Sequence, residues 1–259
     1  MPILTIDQYD LVYNSLSFTI ATMGAAFVFF LLARDAVAYK YQRVMVIAAI
    51  IVGIAAYHYV RMFTSWSEAF SLTDAGYAPT GVLFNEAYRY ADWLLTVPLL
   101  LVELIAVLAI AGLQRSGLIA RLVIAATLMI ALGYPGEIST DVGTRLVWGT
   151  LSTIPFIYIL YVLWIELGTV MARESPEVRV LVRNLRLLLL ASWGVYPIAY
   201  LLPLFNFDPA LALVYRQVGY SIADIIAKPA YGLMLFAIAL IKTQQEPEVA
   251  PEGALAAVR

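Results

Sequence analysis

Seven long apolar stretches constrain the fold of this chain more than any other feature. A helix that crosses a bilayer needs roughly 20 mostly apolar residues. Stretches of that length occupy approximately residues 9–32, 44–63, 83–113, 118–134, 144–170, 178–202 and 210–241. The segment 64–80 is too polar to span, and its Gly76 and Pro79 favour a small hairpin. We therefore predict an all-α fold, a bundle of seven transmembrane helices.

The composition supports a membrane protein and excludes several functional classes. Of the 259 residues, 63% are hydrophobic and 13% are charged, whereas globular proteins are about 45–50% apolar and about 25% charged. Cysteine is absent, which excludes a disulfide framework and a cysteine-based zinc site. The net charge of −2 argues against a nucleic-acid partner. We expect no metal site.

Two further features describe the organisation of the chain. Residues 1–243 form the predicted membrane domain, and the polar, proline-containing residues 244–259 form a predicted disordered tail. Basic residues in loops mark the cytoplasmic side of a membrane protein. An outer N-terminus and a cytoplasmic C-terminus leave only Arg61, Arg145 and Arg216 outside. The inner side then holds Arg34, Lys40, Arg43, Arg115, Arg121, Arg173, Arg179, Arg183, Arg186 and Lys242.

Ionisable residues lie inside three of the predicted spans, where they are costly and usually mark a functional site. They are His58, Arg89, Asp92, Glu103, Asp224 and Lys228. A helix turns about 100° and rises about 1.5 Å per residue. Asp92 and Glu103 are therefore three turns apart on one face, roughly 16 Å along the axis. Arg89 and Thr96 lie one turn to either side of Asp92, which makes the third helix a stripe of exchangeable groups.

Lys228 lies near the middle of the seventh helix, with Asp224 one turn closer to the outside. One interpretation is a buried ion-pair network that only joins helices. The other is a functional cation with carboxylate counter-ions. A lysine amine forms a Schiff base with a carbonyl compound, and aromatic residues on the third and sixth predicted helices would surround such a group. They are Trp93, Trp193, Tyr196 and Tyr200. A retinal-free proton-coupled transporter is a further alternative.

Three motifs in the expected order resemble those of the microbial (type 1) rhodopsins. They are Arg89–Glu103 (RYADWLLTVPLLLVE), Trp193-x-x-Tyr196-Pro197 and Asp224-x-x-x-Lys228. The segment 133–137 (GYPGE) is similar to the proteorhodopsin and xanthorhodopsin branch of that family. The resemblance extends over all seven predicted helices.

The resemblance implies a role for each ionisable residue. Lys228 would carry all-trans retinal as a protonated Schiff base, with Asp92 as counter-ion and proton acceptor and Asp224 as second counter-ion. Glu103 would be the cytoplasmic proton donor, protonated at rest because its surroundings are apolar. Arg89 would steer protons outward.

Other residues would tune the acceptor or contact the cofactor. By resemblance, Thr96 hydrogen-bonds near Asp92, and His58, the only histidine, partners the acceptor carboxylate. His58 can also be a hydrogen-bonded packing residue. Leu100 matches a position where leucine accompanies green absorption. The polyene would be lined by Trp93, Met129, Gly133, Phe156, Trp193, Tyr196, Pro197 and Tyr200.

Two positions depart from the archaeal pumps of the family. Gly149 stands where those pumps have tryptophan, and in xanthorhodopsin-like pumps this glycine opens a window for a carotenoid antenna. Close helix packing is the alternative explanation of a glycine here. Arg216 stands where the archaeal pumps have a glutamate for proton release. The release group is therefore left open between Glu86, Glu137 and water near Arg89.

The resemblance implies a light-driven outward proton pump in the cell membrane of a prokaryote, not an enzyme. The Asp92, Thr96, Glu103 pattern is that of proton pumps, since anion pumps lack the first carboxylate and sodium pumps carry asparagine, aspartate and glutamine there. The expected partners are membrane lipid, protons and further copies of the chain. A photosensory rhodopsin that signals to a transducer is the alternative, and sensory members often lack a carboxylate at the Glu103 position.

Overall fold

The computed structural model describes residues 1–108, 112–172, 174–205 and 207–245. Its helices are α1 (Ile6–Ala33), α2 (Tyr39–Ala69), α3 (Ala87–Val107), α4 (Gly112–Glu137), α5 (Val142–Tyr161), α6 (Leu167–Met171), α7 (Pro176–Leu201), α8 (Pro209–Ile225) and α9 (Tyr231–Gln245). A π-helical turn, Val162–Glu166, joins α5 to α6, and a second, Ile226–Ala230, joins α8 to α9. Seven of the resulting segments are long and apolar enough to cross a membrane, which confirms the predicted seven-helix bundle.

Several helices begin at a residue whose side chain caps the first turn. The Thr5 hydroxyl accepts from the Gln8 backbone N–H, and the Gln8 side chain accepts from the Thr5 N–H. The side chains of Asp141, Ser175 and Asp208 accept hydrogen bonds from backbone N–H groups in the first turns of α5, α7 and α8. These side chains satisfy backbone donors that have no partner within the helix. The local sequence therefore fixes where these helices start.

The structure corrects several predicted boundaries. Helix α2 continues to Ala69, six residues beyond the apolar stretch. The third stretch, predicted to run over 83–113, contains α3 only to Val107, and α4 already begins at Gly112. An apolar run does not reveal a break between two helices when the residues around the break are apolar too. Gln244 and Gln245, predicted to begin the tail, continue α9, whereas residues 246–259 and Arg173 lie outside the described part of the chain.

Lys228 lies in the π-helical turn between α8 and α9, directly before Pro229. Proline has no backbone N–H and its ring clashes with the carbonyl group four residues earlier. A widened turn accommodates that clash without ending the helix. The lysine therefore stands at an irregular turn of an otherwise continuous span.

Helix α3 lies at the centre of the bundle. In its most apolar 18-residue window, 67% of the residues are buried, compared with 17% for the span that contains α5. Helix α3 contacts α2, α4 and α9, while α1 contacts α2 and α8, and α8 contacts α7. Large apolar side chains such as Phe18, Ile154 and Ile198 point outward and are more than 60% exposed. A bilayer would cover these side chains, while the charged residues of α3 are kept from lipid by the other helices.

The predicted hairpin is confirmed between α2 and α3. Strands β1 (Phe70–Thr73) and β2 (Gly76–Pro79) pair antiparallel. Tyr77 exchanges two backbone hydrogen bonds with Leu4, both 2.9 Å long, and its ring stacks on that of Tyr9 at a centroid distance of 3.7 Å. The hairpin thus joins the N-terminal segment to one end of the bundle.

We predict that Gly76→Ala destabilises the protein more than Gly81→Ala. Both glycines have positive φ angles, +111° and +95°, so each alanine costs roughly 1–3 kcal/mol of backbone strain. Only at Gly76 would a Cβ atom collide with the carbonyl oxygen of Leu4, while Gly81 has open space around it. Breaking the Leu4–Tyr77 pair adds about 1–3 kcal/mol. Thermal unfolding in detergent, followed by circular dichroism, checks this order, and equal losses of stability would contradict it.

Candidate functional site

The centre of the site is the amine of Lys228, which lies between two carboxylates. Its Nζ atom is 2.6 Å from Asp92 Oδ2 and 2.9 Å from Asp224 Oδ1. Lys228 is 2% exposed and both aspartates are fully buried. Arg89, also fully buried, lies 3.8 Å from Asp224 and balances the second negative charge. The structure therefore brings the predicted residues of α3 and of the α8–α9 span together in one ion-pair cluster.

The two carboxylates differ in how many donors they face. Asp224 accepts hydrogen bonds from Tyr59 at 2.7 Å, from Tyr196 at 2.6 Å and from the Trp93 indole at 3.0 Å. The Oδ1 atom of Asp92, in contrast, has no hydrogen-bond partner among the described residues. Donors hold a carboxylate in its charged form, while an oxygen without a donor can bind a proton. Asp224 is therefore built as a permanent anion and Asp92 as a group that can change its protonation.

Thr96 and His58 lie near Asp92 in different ways. The Thr96 hydroxyl donates to the backbone carbonyl oxygen of Asp92 at 2.8 Å, rather than to its carboxylate. The Nδ1 atom of His58 is 2.9 Å from the Ile54 carbonyl oxygen. The neutral tautomer that donates from Nδ1 leaves Nε2 as an acceptor. The predicted partnership of His58 with Asp92 stays a prediction.

Glu103 lies in an apolar part of α3, three turns from Asp92. It is 1% exposed, and its Oε1 atom has no hydrogen-bond partner in the part of the chain that the structure describes. The Tyr231 hydroxyl, nearby on α9, donates instead to the Leu100 carbonyl oxygen at 2.8 Å. An isolated carboxyl group in such surroundings is expensive to ionise. Glu103 can therefore store a proton inside the bundle.

An apolar cavity adjoins the ion-pair cluster, although Lys228 itself does not line it. Its empty volume, including its opening, is about 730 Å³. Its lining includes Trp93, Met129, Gly133, Gly149, Phe156, Trp193, Tyr196, Pro197 and Tyr200, all of them predicted cofactor contacts. Trp93 and Tyr196 also donate to Asp224, so the cavity and the ion-pair cluster share a wall. Leu100, predicted to contact the cofactor, is buried but does not line this cavity.

These residues fit a retinal bound to Lys228. A buried lysine amine, a group that can form a Schiff base with an aldehyde, lies near a cavity with aromatic walls, and two carboxylates compensate its charge. Among the described residues, no cluster of three or more histidine, cysteine, aspartate or glutamate side chains is placed to hold a metal ion.

Gly149 lies where the cavity reaches the surface between α5 and α7. It lines the cavity together with Thr153, which is exposed. A Cβ atom at Gly149 would lie 2.8 Å from Cε1 of Tyr200, so any other residue would displace that ring. Tyr200 is held by Arg145, whose guanidinium donates to the Tyr200 carbonyl oxygen while the Tyr200 hydroxyl donates to that of Arg145. Gly149 therefore serves close packing and also leaves the opening free.

Several polar residues of the site were not recognised in the sequence. Tyr59 bridges Asp224 and Arg89, whose Nη1 atom donates to the Tyr59 hydroxyl at 2.9 Å. Nη2 of Arg89 donates to Oε1 of Gln217 at 2.9 Å. Gln217 precedes Asp224 by seven residues, which places both on one face of α8. That spacing was the available signal, whereas Tyr59 had none because its partners lie on other helices.

A further buried carboxylate, Glu137, lies at the end of the bundle toward which Arg89 points from Asp92. Its side chain is fully buried, 3.0 Å from Arg216 and 4.0 Å from Arg145. The hydroxyl groups of Tyr90 and Tyr220 donate to its Oε2 atom at 3.4 and 3.2 Å. Two cations and two hydroxyl groups surround Glu137 and join α3, α4, α5 and α8, although its Oε1 atom accepts no hydrogen bond from the described residues.

Comparisons with known proteins agree with this site. The chain is 30% identical over 233 residues to a green-light absorbing proteorhodopsin of Gamma-proteobacterium EBAC31A08, covering 88% of this chain and 87% of the relative. It is 33% identical over 196 residues to a bacteriorhodopsin of Haloterrigena sp. (strain arg-4), covering 76% and 75%.

Solved structures are similar as well. A crystal structure of xanthorhodopsin, described as a light-driven ion pump with dual chromophore, has a TM-score of 0.89 and 53% identity over 94% of this chain and 98% of that one. The structure of a thermophilic rhodopsin has a TM-score of 0.90 and 54% identity over the same shares. The profile of the family described as "Bacteriorhodopsin-like protein" matches residues 11–242. The chain therefore belongs to the bacteriorhodopsin-like family of microbial rhodopsins and is a multi-pass membrane protein.

Proposed function

We propose that this chain is a light-driven outward proton pump that carries retinal on Lys228. The observation that supports this function best is the amine of Lys228 between two carboxylates of unequal hydrogen bonding. Relatives of the chain include proteorhodopsins, bacteriorhodopsins and a light-driven ion pump. Bound retinal would supply light absorption and an isomerisation that changes which side of the membrane the Lys228 nitrogen faces.

The first proton transfer goes from the Lys228 nitrogen to Asp92. Oδ2 of Asp92 is already 2.6 Å from that nitrogen, and Oδ1 has no donor among the described residues. Asp224 keeps its charge because Tyr59 and Tyr196 donate to it. The negative charge that remains at Asp224 then stabilises Arg89 next to it.

The second proton transfer goes from Glu103 back to the Lys228 nitrogen. Glu103 lies about 16 Å from Asp92 along the axis of α3, on the opposite side of Lys228 from Arg89. Because its surroundings are apolar, Glu103 would hold its proton until the deprotonated nitrogen faces it. Direction therefore comes from the order in which the nitrogen faces Asp92 and Glu103.

The direction across the membrane follows from the proposed orientation of the bundle. The end of α3 that carries Glu103 lies on the side rich in basic loop residues, which is the cytoplasmic side by the positive-inside rule. Arg89 and Glu137 then lie on the outer side. Uptake at Glu103 and release near Arg89 move protons outward. Assembly of several copies of the chain stays a prediction.

The proposed pump predicts that illuminated cells acidify their medium. Cells that express the chain with retinal, in an unbuffered suspension, should lower the external pH in light, and a protonophore should abolish the change. Asp92→Asn should remove the signal, since an amide cannot accept the proton, while the visible band remains. Light-induced pH recordings check both outcomes.

Asp10→Asn is the matched control, because Asp10 is exposed in α1 and remote from Lys228. This variant should acidify the medium as the unaltered protein does. A coloured protein that causes no pH change would contradict the pump and favour a photosensory receptor. A colourless protein after addition of retinal would favour the retinal-free transporter.

We further propose that a carotenoid binds at the opening beside Gly149 and passes light energy to retinal. The opening is lined by Gly149, Tyr200 and the exposed Thr153. Val147 and Ile154 on the same helix are about 60% exposed and offer an apolar surface to a long polyene. The similar xanthorhodopsin is described as having two chromophores.

Gly149→Trp should abolish this antenna and leave pumping with directly absorbed light intact. A bulky ring would fill the opening against Tyr200. The measurement is the action spectrum of light-driven acidification after incubation with a keto-carotenoid. Carotenoid bands should appear for the unaltered protein and vanish in the variant. Their absence from the unaltered protein would show that Gly149 serves packing alone.

A further inference from the structure

A chain of polar contacts leads from the ion-pair cluster toward the proposed outer surface. Arg89 donates to Gln217 Oε1 at 2.9 Å, and Nε2 of Gln217 donates to Glu86 Oε1 at 2.7 Å. Arg216 donates to the same Glu86 oxygen at 2.9 Å. Arg89 and Gln217 are fully buried, whereas the Glu86 side chain is 14% exposed. The chain of contacts therefore ends at a carboxylate that reaches solvent.

Glu86 and Glu137 both form an ion pair with Arg216 but differ in their access to water. The Glu137 side chain is fully buried and is held by Arg216, Arg145 and two tyrosine hydroxyl groups. Glu86 faces one guanidinium group and one amide donor, both on its Oε1 atom. The Glu137 side chain therefore has no direct contact with bulk water, while the Glu86 side chain does.

The charges around this path are balanced. Four cations face four carboxylates, so one additional proton on a carboxylate changes the charge of the whole cluster. The cations are Arg89, Arg145, Arg216 and Lys228, and the carboxylates are Glu86, Glu137, Asp92 and Asp224. Glu86 pairs directly with Arg216, which also pairs with Glu137, and Gln217 connects Glu86 to Arg89. A proton that enters this cluster is therefore expelled most easily at the member that touches water.

We infer that Glu86 is the exit group of the proposed proton path and that Gln217 positions it relative to Arg89. This inference rests on the proposed pump. A proton leaves the carboxyl group of Asp92, Glu86 binds it, and Glu86 then releases it to the outer water. Asp92 and Glu86 are both carboxylates again at the end, so no other reactant is needed.

Single-flash measurements on the purified, retinal-loaded protein in detergent test this assignment. A blue shift of the visible band reports loss of the proton from the Lys228 nitrogen, and a soluble pH dye reports its arrival in water. Glu86→Gln should keep the rate of the blue shift and delay the dye signal by at least about tenfold, since the acid–base group is gone. Glu86→Asp should restore part of the rate, because the carboxylate returns with a shorter reach.

Gln217→Leu provides a second test that leaves the Glu86 carboxylate in place. This variant breaks the contact to Arg89 and should also delay the dye signal relative to the blue shift. Glu68→Gln, which changes an exposed carboxylate at the same end of the bundle, should release protons with unaltered kinetics.

Two results would overturn the assignment or its basis. Release with unaltered kinetics in both Glu86→Gln and Gln217→Leu would refute the exit group and leave the pump intact. The absence of a blue shift and of a dye signal in the unaltered protein would refute the pump itself. If Glu86→Gln does not assemble with retinal, the timing of the dye signal in Gln217→Leu decides whether the assignment of Glu86 holds.

Discussion

The buried amine of Lys228 places the strongest constraint on the packing of this bundle. It lies deep between the helices, where an unpaired charge would cost several kcal/mol. Asp92 at 2.6 Å and Asp224 at 2.9 Å make its burial possible. Those contacts require α3 and the α8–α9 span to approach closely, with the irregular turn at Pro229 directing the lysine inward. The aromatic cavity adjoins this ion-pair cluster, because Trp93 and Tyr196 line the cavity and also donate hydrogen bonds to Asp224.

The unequal surroundings of the two aspartates support the proposed direction of proton transfer. Asp224 is saturated with donors and stays charged, whereas Asp92 keeps one oxygen without a described partner. A cluster that served only stability would gain from donors on both carboxylates. The isolated Glu103 on one side and the solvent-reaching Glu86 on the other complete a set of groups that can exchange protons in sequence.

Helical spacing predicts which site residues share a face of one helix, but it does not predict contacts between residues on different helices. The stripe from Asp92 to Glu103 and the pair Asp224–Lys228 follow from positions along single helices, whose geometry is fixed. The partners of Asp224 and of Glu137 lie on other helices, and a sequence does not give the rotation of one helix against the next. Arg145, for example, is recognisable in the sequence only as a basic residue on the outer side. Helix ends were predicted poorly where apolar residues continue past a break, as between α3 and α4.

Time-resolved infrared spectroscopy would follow both proton transfers, because the C=O band of a carboxylic acid reports its proton. A band assigned to Asp92 should appear when the Lys228 nitrogen loses its proton. A band assigned to Glu103 should disappear when the nitrogen regains one. Asp92→Asn and Glu103→Gln supply the two assignments. If Asp224 gains the proton instead, or if Glu103 keeps its proton throughout the cycle, the proposed order of transfers is wrong.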